Sequence, residues 1–226
     1  MSVAGQEVDR FMQSDAFRAS YQGMSRKATH EVDEREYTSL NWALLPGPAS
    51  SAESQRTTTV LAEGFAKVAR ARGGAPVDQA VQAMVALRED LYMNWVGQYL
   101  YFYLGPPRYR PLPVMLGTWM MMDARAEQLP LLAGSNATDL VEPPIVEDFH
   151  TAHLGTGVKV LCVQKTGRRR KSLAGLLGYA FRSEELETDL HLKTMCTDLG
   201  WLQAAMPGIE EFARAIRLIP KSRAGH

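Results

Sequence analysis

Cysteine is nearly absent from this chain, which has only Cys162 and Cys196 among 226 residues. Two cysteines cannot build a disulfide framework, and they lack zinc-motif spacing. Charge of one sign is missing as well. Lys+Arg and Asp+Glu stand at 25 each, so no global field draws the protein to nucleic acid or membrane, and any polyanion contact has to be local. The longest uncharged run inside an element, residues 91–104, is too short to cross a bilayer. Residues 1–13 carry acidic and polar side chains where a secretion signal needs an apolar core. Catalytic signatures are missing too: there is no Gly-x-Ser-x-Gly elbow, no Walker loop and no Gly-x-Gly-x-x-Gly. These absences lead us to expect a soluble cytoplasmic protein with reduced thiols and no cofactor.

What is present is a globular composition. The chain is 46% hydrophobic and long enough to bury roughly 70% of its unfolded surface. The reading divides it into an N-terminal helical or partly flexible segment over 1–35, a single domain over 36–220 and a tail over 221–226. Residues 37–45 read as a strand stopped by Pro46-Gly47-Pro48. A helix is expected from about 53 to 71, with Leu61, Gly64, Phe65 and Val68 as its apolar stripe. A second helix follows Pro76, buried through Val77, Val81, Met84 and Leu91. Residues 94–104 fit a helix or a strand. Their aromatic content favours a strand, ended by Gly105-Pro106-Pro107. Residues 111–122 read as another strand, with Met120, Met121 and Met122 as adaptable filler. Residues 124–144 read as an irregular linker or surface loop.

The C-terminal block is the clearest. Around Val158, Val160 and Cys162 both faces are mostly apolar, as in a central strand. The next strand sets large Leu173, Leu177, Tyr179 and Phe181 against a row that is small (Ala174, Gly178, Ala180) except for Leu176, which predicts close packing there. In the third, Leu190, Leu192, Thr194 and Cys196 face inward, while Asp189, His191 and Lys193 face water. A helix marked by Ile209, Phe212, Ala213 and Ile216 closes the block before Pro220. Connections this short favour antiparallel pairing. The two cysteines then lie on strands separated by a third, roughly 10 Å apart at Cα and beyond disulfide reach. The fold class expected is α+β: a central antiparallel sheet flanked by helices, an α/β/α sandwich.

The succession Val158-Lys159-Val160-Leu161, Leu177-Gly178-Tyr179-Ala180-Phe181, Leu190-His191-Leu192-Lys193-Thr194 and the terminal helix 209–216 resembles the PsbP-like (LpqN-type) α/β sandwich family. The resemblance spans Val158 to Ile216. It implies a non-enzymatic accessory role, since members mostly bind partners: photosystem subunits, a small GTPase, envelope proteins. The lipoprotein members' signal and lipid-attachment cysteine have no counterpart here, which argues against an envelope role.

Candidate surfaces follow from charge. Lys165, Arg168, Arg169, Arg170 and Lys171 crowd the first turn of the block, where guanidinium groups can pair with carboxylate or phosphate. With Arg108, Tyr109 and Arg110 in the loop at 106–111, they form the expected partner-binding surface for a protein with an acidic face. Glu184, Glu185, Glu187 and Asp189 gather at the second turn, at the opposite end of the strands, so head-to-tail self-association is an expectation to test. Nucleic-acid association through the basic turn is a weaker alternative, given the balanced net charge. Another is an enzyme using Asp148 and His150, which share a strand face. The blander reading of 147–153 is a polar strand edge entering a turn at Gly155-Thr156-Gly157. The aromatic segment 92–109 reads mainly as core, with Tyr101 and Tyr103 able to extend an exposed patch.

Overall fold

The computed structural model describes residues 27–33, 35–36, 41–45, 56, 59–60, 62–64, 66–67, 70, 99–106, 111–121, 128–166 and 172–221. Strands β1 (Ala28–Val32), β2 (Trp42–Leu45), β3 (Tyr99–Tyr103) and β4 (Leu112–Met120) precede a short helix α1 (Gln128–Ala133). Then come β5 (Ile145–Thr151), β6 (Gly155–Thr166), β7 (Ser172–Ser183), β8 (Thr188–Cys196), helix α2 (Leu199–Ala215) and β9 (Ile216–Pro220). Seven strands form one antiparallel sheet in the order β2-β3-β4-β8-β7-β6-β5, and β1 pairs with β9 in a separate ribbon. The described part is more sheet-rich than an even α/β sandwich, within the α+β class.

The C-terminal meander follows its alternation. Leu177, Tyr179, Phe181, Leu190 and Leu192 are fully buried on one face, where Trp201, Leu202, Ala205, Ile209 and Phe212 of α2 pack on them. Stacked rings of Trp42 and Phe212 tie the far end of the sheet to the same helix. On the other face the small row does admit a close neighbour. A Cβ on Gly178 would collide with the Ala133 carbonyl at the end of α1, and Ala180 packs with Leu129 and Ala133. Cys162 and Cys196 are buried and unlinked on β6 and β8, with β7 between them.

Several expectations are corrected. Helix α2 starts at Leu199, capped by Asp198, whose carboxylate accepts from Trp201 N at 2.9 Å. It also contains Pro207, and it ends at Ala215, so Ile216 belongs to β9 instead. The alternating Ile-Arg-Leu-Ile pattern suits a strand, and β1 supplies its partner. Residues 28–32, read as part of a helical or flexible leader, are that partner. Residues 128–133 of the expected linker form α1, and Leu140 bridges to Gln164, extending the sheet edge. The turn after β5 falls at 152–154, so Gly155, at φ 71°, already pairs with Thr151 across the ladder.

Among 56–70 every described residue is helical, but Gly64 is exposed and Ala62 and Ala66 are the buried positions. Met120 is exposed rather than filler. Tyr99–Tyr103 is a strand, as aromatic content suggested. The expected helix after Pro76, residues 94–98 and residues 37–40 lie outside the described residues.

Candidate functional site

Antiparallel pairing brings the start of β4, the end of β6, the start of β7 and the end of β8 to one end of the sheet. The β6–β7 hairpin stays in register up to the Thr166–Ser172 pair. There the two hydroxyls lie 2.8 Å apart and close the neck. Lys165, one rung inside, is exposed, and its backbone N–H donates to Asp139 O at 2.9 Å, so the segment before β5 steadies this rung. Arg168, Arg169, Arg170 and Lys171, together with Arg108, Tyr109 and Arg110, lie outside the described residues. Apolar side chains flank the neck: Leu173 is 45% exposed and Met195 48%.

On the face that carries α1, this end of the sheet holds a cavity of about 470 Å³. Met115, Leu176 and Met195 are among its apolar walls, and residues of the turn after α1, including Asn136 and Thr138, form its exposed rim. Lys193 projects into it from β8, half-buried rather than facing water as expected. Burial holds its ammonium below the ordinary lysine value. Sequence reasoning missed this lysine, because alternation placed it on the second face but could not say that the face was covered.

His191 makes the same point more sharply. Expected at the surface, it is 2% exposed, and its Nδ1 accepts from Trp119 Nε1 at 2.9 Å. Burial first, and the charge of Lys193 second, push its pKa well down, so the ring is neutral with its proton on Nε2. Asp189, grouped with the acidic turn, is also internal. It takes both arms of Arg182, at 2.7 and 2.8 Å, with both side chains under a tenth exposed. Glu187 pairs with Lys27, which leaves Glu184 and Glu185 as exposed acids of the turn at the other end.

Asp148 and His150 both lie exposed on edge strand β5, with His150 Nδ1 2.8 Å from Thr156 Oγ1. His153 sits in the following turn, 2.8 Å from Glu36. Among the described residues no group of three or more His, Cys, Asp or Glu side chains gathers to hold a metal. Nor is any helix among them long and apolar enough to cross a membrane. Tyr101 and Tyr103, offered above as an exposed patch, are buried in the core. Tyr101 meets His30 Nε2 at 2.7 Å, and Tyr103 stacks on Trp201. No family model matches the chain, and neither does any curated protein.

Proposed function

We propose that this chain is a non-enzymatic accessory protein that docks an acidic surface of a partner protein on the end of the sheet from which the β6–β7 connection leaves. The observation that carries the reading is the neck of that hairpin. In-register pairing up to Thr166 and Ser172 anchors a connection whose sequence contributes Arg168, Arg169, Arg170 and Lys171, beside exposed Lys165. Anchoring both ends of a cationic loop lowers the entropy lost when it pairs with carboxylates. Exposed Leu173, Leu199 and Met195 at the same end add apolar area. Arginine mixed with apolar contacts suits a protein surface better than a phosphate backbone. The resemblance of the closing strands to the PsbP-like family, whose members act by binding partners, supports the same role. Buried, unlinked thiols suit a reducing compartment such as the cytoplasm.

The test is capture from nuclease-treated native lysate with the wild type and with Arg168→Ala/Arg169→Ala/Arg170→Ala, followed by titration of the recovered partner in purified form. The reading expects an acidic partner whose affinity falls at least tenfold in the triple variant and weakens with salt. Equal affinity for both forms would overturn it. Capture seen only in a parallel lysate without nuclease would transfer the loop to nucleic acid. A partner that proves to be the chain itself, with affinity lost on Glu184→Gln/Glu185→Gln, would make the contact a head-to-tail one.

A further inference from the structure

The cavity on the α1 face has a chemistry of its own, independent of the basic loop. Its volume, about 470 Å³, falls in the range of small-molecule sites. Among the described residues that line it there is no aspartate, glutamate or histidine, and Lys193 is the one charged side chain. The hydroxyl of Thr194 is already spent on Pro113 O at 2.7 Å. Gln164 donates its amide to Met195 Sδ at 3.0 Å, a weak acceptor that a stronger one would displace.

Lys193 reaches the cavity from the middle of the sheet. Its cross-strand neighbours are Met115 on β4 and Gly178 on β7, neither of which can accept from an ammonium. Among the described residues no ion pair or hydrogen bond engages its Nζ. A half-buried ammonium with no counter-charge costs stability, and desolvation already disfavours its charged form. An ammonium shifted by burial and lining a cavity marks a candidate binding group. Among the described lining residues there is one cation, which balances a singly charged carboxylate, whereas a phosphate dianion would call for a second.

We propose that this cavity binds a small amphipathic carboxylate, its apolar body against Met115, Leu176 and Met195 and its carboxylate on Lys193 Nζ. Asn136 and Thr138 stand at the rim, where the ligand enters.

Isothermal titration of the full chain with decanoate below its micellar concentration tests this, with decanol and decyltrimethylammonium as neutral and cationic controls. Decanoate is expected to bind one to one, decanol at least tenfold more weakly, and the cation not at all. Lys193→Met is expected to keep or raise the melting temperature, lose at least tenfold in decanoate affinity and keep its affinity for decanol. Met195→Trp, at a half-exposed position that tolerates bulk, is expected to block both ligands. Absence of decanoate binding, or equal decanoate binding by the wild type and Lys193→Met, would overturn the proposal. The triple arginine variant is expected to bind decanoate normally, so this site and the partner surface fail separately.

Discussion

The two faces of the seven-stranded sheet are closed in opposite ways. On one, a long helix lays Trp201, Leu202, Ile209 and Phe212 over large strand side chains, and Tyr179, Phe181, Leu190 and Leu192 are sealed from solvent. On the other, the short helix α1 approaches only where Gly178 and Ala180 leave room. The rest of that face mixes buried apolar residues, Leu100, Phe102 and Met115 among them, with polar groups: the Arg182–Asp189 pair, neutral His191 against Trp119, and half-buried Lys193 over a cavity. Dense apolar packing yields stability in proportion to the area it buries. Buried polar groups yield little net stability and make each missing partner costly. The helix-covered face therefore holds the molecule together, while the opposite face has room for chemistry.

Breaking the apolar face has the largest expected effect. Phe212→Ala removes a fully buried ring that stacks on Trp42, and denaturant melts are expected to show a loss of about 3–5 kcal/mol. A loss below about 1 kcal/mol would show that α2 can collapse into the void, and the contrast between the faces would fail.

On the polar face, Asp189→Asn leaves the Arg182 guanidinium without its carboxylate and is expected to cost about 3 kcal/mol. The double change Arg182→Met/Asp189→Leu is expected to cost far less, because removing both charges removes the desolvation problem. Equal costs for the two constructions would mean that the pair contributes through packing instead.

Acid sharpens the comparison, because a half-buried histidine of the ribbon meets Tyr101 on the helix-covered face and a buried one sits on the other. His30, between the ribbon and Tyr101, is held down by burial from 6.5 to about 4. The unfolded chain takes up that proton first, so the contribution is intact above pH 6.5 and is lost as pH falls towards 4. The loss grows to about 2–3 kcal/mol. His191 shifts in the same direction. Stability measured against pH should steepen below 6.5 in the wild type, and His30→Gln should flatten part of that slope. An unchanged slope would assign the acid sensitivity to other groups.

The smallest effect has the opposite sign. Lys193→Met is expected to stabilise the protein by about 1 kcal/mol at neutral pH, since the folded state disfavours the ammonium. That gain should shrink as pH rises towards the ordinary lysine value of 10.5, where both states lose the proton. A destabilised variant would mean that the lysine has a structural partner.

Much of this was legible from the residues alone. Period-two alternation located β6, β7 and β8, and the small row of Ala174, Gly178 and Ala180 implies a close neighbour, which is α1. Aromatic content chose a strand over a helix at Tyr99–Tyr103. Lys165 stands at a hairpin neck, one rung inside the Thr166–Ser172 pair, whereas the remaining candidate partner residues lie outside the described residues. Local pattern did not reveal β9, whose strand character depends on pairing with β1 far away in the chain. Nor did it reveal the burial of His191 and Asp189.

Taken by itself, the sequence determined which residues of the closing strands alternate and which side chains share a face, because these depend on backbone periodicity within a few residues. Only the tertiary structure decided which faces are covered. It turned His191 from a surface residue into a buried neutral acceptor, and Lys193 from a solvated cation into a half-buried group lining a cavity. Alternation assigns a side chain to a face, but burial depends on elements distant in sequence packing over it.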